Sequence, residues 1–353
     1  PAPMHEPERW VTILAGGVGS RFWPLSTRER PKQLLPLAGA RPLIAETAER
    51  ARALAPVERI VLLTHRELRD RLLKAAPALR GCVVLEEREA KGTGPALVRA
   101  AWETTRRAGS GEVVMISLHA DHHIQPVEAF VKNVETAVGV ASRQQMLVTI
   151  GARPTRAEVG FGYMELGDEL AAGVRRVARF VEKPDATTAM RFVASDRFLW
   201  NTGIFVWRAG DLLDETRATA PELAAALPHL EAGAPDRFFT AVPTISIDEA
   251  VLEHSSRVAV VFAGFDWDDV GSWAALLRVR ERSPDGNVVV GPAHAVDCAY
   301  TLVWAEDGPV VAFGLEHCVV ARAGGITLVT TRERASDLKR LLERLPDALR
   351  GEA

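Results

Sequence analysis

The stretch Leu14-Ala15-Gly16-Gly17-Val18-Gly19-Ser20-Arg21 closes a β-branched apolar run, and Arg30-Pro31-Lys32-Gln33 follows shortly after. Glycines directly after a strand let backbone N–H groups close on phosphate oxygens, because no Cβ blocks the approach. Arg21 and Lys32 add two cations to the same stretch. The whole chain holds six lysines against 37 arginines, so a lysine inside such a motif is not compositional drift. Two better-known glycine loops are excluded. A dinucleotide fold wants its third glycine where Phe22 stands, and the second strand ends in Thr64-His65 with no acid for a ribose. A P-loop needs Gly-Lys-Ser or Gly-Lys-Thr, and none follows. What remains is a phosphate loop with two cations.

Two carboxylates come next. Asp121, in Leu118-His119-Ala120-Asp121-His122-His123, lies just past a buried apolar run, and Asp269 lies in the turn Trp267-Asp268-Asp269-Val270-Gly271. Two oxygen ligands from distant segments suit Mg²⁺, which completes its octahedron with phosphates and water. A second reading groups Asp121 with His119, His122 and His123 around a transition metal, although the spacing fits no common zinc pattern. Asp266 and Asp268 read as solvated acids of an exposed turn. Glu182-Lys183-Pro184 ends an apolar run, and by itself it is a surface ion pair. Asn201-Thr202-Gly203 and Gly162-Tyr163 by themselves read as turns beside strands.

The elements that must position these groups alternate regularly in the first half. Val11–Ala15, Ile60–Thr64, Cys82–Leu85 and Val113–Leu118 read as buried strands. Pro42–Leu54, His65–Lys74 and Thr93–Arg107 carry apolar residues at helical spacing. Such alternation predicts an α/β fold: a mostly parallel, Rossmann-like sheet with helices on both faces, binding ligands at the carboxyl ends of its strands. Further strands are expected at Met146–Ile150, Val174–Val181 and Gly203–Trp207, and helices at Asp185–Ala194, Ala209–Thr216 and Asp248–His254. Composition shifts near Ser283-Pro284-Asp285-Gly286. A catalytic domain over 1–283 is therefore expected, followed over 284–353 by a small β or β-helix-like domain closed by a helix at Arg334–Leu345.

Gly-Gly-x-Gly-x-Arg-x-x-Pro-Leu followed by Pro-Lys resembles the signature of the sugar-1-phosphate nucleotidylyltransferases. Phe22-Trp23-Pro24-Leu25-Ser26 with Arg30–Gln33 is similar to their mannose-1-phosphate guanylyltransferase branch. Phe180–Pro184, Trp200–Phe205 and Trp267–Trp273 match family motifs in family order. The resemblance implies nucleotidyl transfer from GTP to mannose 1-phosphate on a nucleotide-diphospho-sugar transferase fold. It implies Mg²⁺ held by Asp121 and Asp269. It places the nucleotide on Leu14, Gly16, Gly17, Gly19, Ser20, Arg21, Lys32, Glu87, Thr93 and Asp121. The sugar phosphate falls to Gly162, Tyr163, Glu182, Lys183, Asn201 and Thr202, with Arg21, Lys32 and Lys183 as the catalytic cations. Glu87 suits guanine, since a carboxylate accepts from both N1–H and the N2 amine. The segment departs from the family pattern at Arg88, Gly92 and Gly94.

Charge bounds the partners. With 43 Lys and Arg against 46 Asp and Glu, the net charge is −3, which offers no basic excess for nucleic acid. No apolar run is long enough to span a bilayer, Pro1–Trp10 lacks a signal-peptide pattern, and three scattered cysteines indicate neither disulfides nor zinc. A cytoplasmic protein, tending to a homodimer through its small β domain, is expected.

Overall fold

The computed structural model describes residues 7–17 and 20–350, with Ser20 placed by its backbone alone. The first part contains β1 (Arg9–Leu14), β2 (Ile60–His65), β3 (Val83–Glu87), β4 (Val114–His119), β5 (His123–Gln125) and β6 (Leu147–Ala152). It continues through β7 (Tyr163–Ala171), β8 (Val174–Val181), β9 (Phe198–Arg208), β10 (Val258–Phe262) and β11 (Asp266–Asp268). Nine of these form one sheet in the order β3-β2-β1-β4-β9-β6-β10-β8-β7. β1 is parallel to β2 and β4, β2 to β3, and β6 to β10. β9 is antiparallel to β4, β6 and β7, and β8 to β7 and β10. Seven strands thus share one direction, as the βα alternation predicted, and β8 and β9 oppose them.

The strands β1, β2, β4 and β6 are apolar on both faces because helices cover both. On one face lie α1 (Leu43–Arg52), α2 (Arg69–Ala75) and, through Phe130, Val134 and Ala137, the long helix over Val127–Gln144. On the other lie α3 (Thr93–Ala108) and Ala209–Thr219, which bring Leu97, Ala101, Leu212 and Leu213. Stop and start signals act locally. Gly109 ends α3 in the left-handed conformation, and the Asp185 carboxylate caps Ala186–Ala194 through Thr188 N–H at 2.9 Å. Among the described residues no helix is long and apolar enough to cross a membrane.

Three expectations change. Asn201-Thr202-Gly203 is not a turn but the middle of the eleven-residue β9. Gly203 sits at φ +71°, where the pairing with β6 shifts register, so a bulge absorbs the polar triplet. The helix expected at Asp248–His254 is a π turn over Asp248–Leu252. The closing helix is split into a 3₁₀ turn at Arg334–Ser336 and a short α segment at Leu338–Leu342, ending ahead of Pro346.

The remaining strands are β12 (Val288–Val290), β13 (Ala293–Val296), β14 (Leu302–Ala305), β15 (Val310–Phe313), β16 (Cys318–Ala323) and β17 (Ile326–Thr331). β12, β14 and β16 pair in parallel, as do β13 and β15, so the chain winds in β-helix-like rungs until the β16–β17 hairpin closes it. Their core is shared. Leu302, Trp304, Val319, Leu338 and Leu342 pack in one cluster with Phe22, Trp23, Leu25, Leu35 and Leu37 of the segment that follows the glycine loop. Trp273 reinforces the joint by donating its indole N–H to the Trp23 carbonyl at 3.0 Å.

Candidate active site

The carboxyl ends of β1, β3 and β4 open onto a cavity of about 300 Å³ lined by Leu14, Gly16, Gly17, Glu87, Thr93 and Asp121, six of the expected nucleotide residues. Gly19 lies outside the described residues, as does the Ser20 side chain. Gln33, quoted with the motif but given no role from sequence, donates to the carbonyls of Gly17 at 2.9 Å and Ala15 at 3.3 Å and so pins the loop. Glu87 is 7% exposed, and its Oε1 accepts no hydrogen bond within the protein. Burial pushes its carboxyl up to about 7, with Arg99 opposing.

Lys32 is buried between the two carboxylate segments. Its ammonium stands 2.8 Å from Asp121 Oδ2 and also donates to the backbone carbonyl of Asp269. Desolvation acts to raise the Asp121 carboxyl, but Lys32, His122 and His119 outweigh it and hold it well below the usual carboxylate range. Asp269 goes the other way: burial raises it, and the charges of Asp268 and Asp121 add to that against Lys32 and Arg21. Arg21 is exposed and lies near enough for its charge to act on Asp269. A short sheet brings the carboxylates together: β5 pairs antiparallel with β11, His123 opposite Asp268, so Asp121 and Asp269 leave its two strands side by side. Val270, β-branched and at φ +48°, marks the turn after Asp269 as strained.

Asp268 is not a solvated turn acid. It is 6% exposed, accepts from Arg278 Nε at 2.7 Å and Nη2 at 3.2 Å, and takes the Val270 N–H at 2.8 Å. Its partner Arg278 is ten residues downstream, which hid the pair from a local reading. Asp266 is exposed, as expected.

The histidines do not form a common ligand set. His119, Asp121 and His122 present donor atoms within 4.8 Å of one another, but His123 is not among them. Trp267 donates its indole N–H to His122 Nδ1 at 3.1 Å, so a neutral His122 carries its proton on Nε2 and offers no free lone pair to a metal. Burial pushes the His119 and His122 imidazoles below their ordinary value, disfavouring the charged form of each, and their rings stack at 4.4 Å. Asp121 and Asp269 offer carboxylate oxygens of the kind that a hard cation such as Mg²⁺ takes.

The expected sugar residues gather where the end of β8, the start of β7 and the bulged stretch of β9 meet. Lys183, at φ +44°, pairs with Glu182 at 2.6 Å and is largely exposed. A Cβ on Gly162 would stand 2.6 Å from Glu182 Oε2 and 2.9 Å from the Phe180 ring, so only glycine admits the Glu182 carboxylate there. Gly162→Ala should therefore raise the KM for the sugar phosphate about tenfold or more while leaving nucleotide binding near native, a split read from steady-state kinetics in each substrate. Asn201 holds Thr149 Oγ1 at 2.8 Å and Gly203 N–H at 3.2 Å on its carbonyl oxygen. Two expectations fail for side chains. Tyr163 is fully buried with its hydroxyl bonded to Glu158 O at 2.9 Å, and the Thr202 hydroxyl donates to Ile150 O at 2.6 Å. Both are spent on the fold, leaving only their backbone to a ligand. His119 joins the two halves: its Nε2 lies 2.6 Å from where a Gly203 Cβ would be.

The family model for nucleotidyl transferases matches residues 11–285. The chain belongs to the nucleotidyl transferase family. This nucleotidyl transferase is 36% identical to the xanthan biosynthesis protein XanB of Xanthomonas campestris over 97% of its own length and 74% of the relative's. It is 33% identical to a mannose-1-phosphate guanylyltransferase of Salmonella muenchen over 94% of its length and 72% of the relative's. Among solved structures it superposes at a TM-score of 0.88 and 34% identity on a Thermus thermophilus protein described as a mannose-1-phosphate geranyltransferase, over 96% of this chain and 99% of that one. The transferase is therefore a sugar-1-phosphate nucleotidyltransferase with the helix-covered sheet and β-helix-like tail of that structure.

Proposed function

We propose that this enzyme transfers the guanylyl group of GTP to mannose 1-phosphate, giving GDP-mannose and pyrophosphate. The observation that carries the guanine reading is Glu87, a buried carboxyl that lines the nucleotide cavity and whose Oε1 has no hydrogen-bond partner in the protein. The names of its relatives support the same substrates. The attacking sugar phosphate is already ionised, so the protein needs no nucleophile or base; its residues position and neutralise. The glycine loop cradles phosphates, Arg21 and Lys32 hold the triphosphate, and Lys183 takes the sugar phosphate. Asp121 and Asp269 would hold Mg²⁺, which when bound supplies charge stabilisation at the transferring phosphate.

Pyrophosphate release from a panel of nucleoside triphosphates and sugar 1-phosphates tests this reading. GTP with mannose 1-phosphate should lead, and equal use of UTP would overturn the guanine assignment. Glu87→Gln should erode the preference by about tenfold or more with turnover still measurable, because the wrong hydrogen-bond pattern then faces guanine. The protonation sign also follows. Guanine needs the carboxylate, and Glu87 gains its proton as pH falls through about 7, so kcat/KM for GTP should decline below that pH in the native enzyme and lose this limb in Glu87→Gln.

A further inference from the structure

Gly92 and Gly94, the departures in the nucleotide segment, have a structural reason. A Cβ at Gly92 would collide with the Ile245 carbonyl oxygen, and one at Gly94 would stand 3.0 Å from it. The close approach is used: Ile245 N–H donates to Lys91 O at 3.0 Å, Gly94 N–H to Ile245 O at 3.1 Å, and Ile247 N–H to Thr93 Oγ1 at 3.0 Å. Immediately after this joint comes Asp248, the first residue of the π turn. Such turns concentrate at functional sites. Asn201, with its carbonyl oxygen already engaged, turns its amide nitrogen to Asp248 Oδ1 at 2.8 Å. Glu182 and Lys183 lie near enough to act on Asp248: burial first, then the Glu182 charge, pushes its carboxyl up to about 7. The Lys183 ammonium pairs with Glu182 instead.

We propose that Asp248 is a sugar-recognition residue of this site: its second carboxylate oxygen accepts a hydroxyl of the sugar 1-phosphate beside Glu182, and the Lys91–Thr93 joint ties that contact to the bound nucleotide. A carboxylate fixed against an amide offers an acceptor and a donor side by side, the pattern that adjacent sugar hydroxyls match. The inference rests on the nucleotidyl-transfer reading above and adds the residue that reads the sugar ring.

The test compares native enzyme, Asp248→Asn and Asp248→Ala with mannose 1-phosphate and its 2-, 3-, 4- and 6-deoxy analogues, with GTP binding measured separately by calorimetry. In Asp248→Asn the KM for the sugar phosphate should rise about tenfold or more, while GTP binds within about twofold of native, which also certifies the fold should Asp248→Ala fail to fold. One deoxy analogue that is poor for the native enzyme should be penalised about twofold or less in Asp248→Asn, since its contact is already gone. An unchanged sugar KM, or every deoxy penalty carried intact into the variant, overturns the inference while native turnover upholds the functional reading. Absence of turnover by the native enzyme with any pair of substrates removes both.

Discussion

Replacing Asp121 or Asp269 by Asn is expected to slow turnover roughly a hundredfold or more. Asp121 and Asp269 flank the β5–β11 pair at the same end, where the proposed reaction brings two polyanionic substrates. The amide keeps the shape and removes the charge that would hold Mg²⁺ against phosphates. Turnover against Mg²⁺ concentration reads the loss, Mg²⁺ binding by calorimetry reads it without catalysis, and circular dichroism confirms folding. Asp268→Asn should behave differently. Its carboxylate holds Arg278 and the Val270 N–H, so its loss should cost about 1–3 kcal/mol of stability with a smaller loss of turnover. Full activity in Asp269→Asn, or a larger loss of turnover in Asp268→Asn, would put the metal on the wrong carboxylate.

Lys32→Met should be nearly as damaging to catalysis, and its effect on stability should depend on pH. Its ammonium meets Asp121 Oδ2 at 2.8 Å and the Asp269 carbonyl, so its removal leaves negative groups facing each other where more negative charge must bind. Turnover should fall about a hundredfold, with a weaker grip on the triphosphate. The folded enzyme holds the Asp121 carboxyl below its ordinary value of 3.8, so the pair stabilises the fold above that pH and stops doing so as pH falls through the depressed value. The variant should be less stable than native by roughly 2–4 kcal/mol at neutral pH, and the gap should narrow in acid below about pH 4. Denaturation at pH 7 and pH 3 checks the sign. A gap that widens in acid would mean that Lys32 does not depress Asp121.

Much of this site was legible because its signals are local. A glycine loop after a buried strand, a lysine in an arginine-rich chain and apolar periodicity all act within a few residues, and they marked the phosphate loop and the sheet. What escaped depends on distant partners. Asp268 reads as a turn acid until Arg278 folds back on it, and the metal reading of His122, already disfavoured by its spacing, closes when Trp267, 145 residues away, donates to its ring. Tyr163 and Thr202 have the right chemistry for a sugar, but neighbouring carbonyls claim their hydroxyls. Gly92 and Gly94 look like lapses from a motif until Ile245 arrives against them.

The core that Phe22, Trp23 and Leu25 share with Ala335, Leu338 and Leu342 also sets an order of events. Contacts between residues some three hundred positions apart form only after the later ones have left the ribosome, whereas β1 to β4 can pair much earlier. The segment carrying Lys32 must wait, bare of its backing, until the distal rungs close over it. A growing chain of this transferase therefore has a sheet before it has a grip on phosphate. For the same reason a tail exchanged between relatives would have to travel with its Phe22–Leu37 counterpart, because the two halves of that seam are one packing problem.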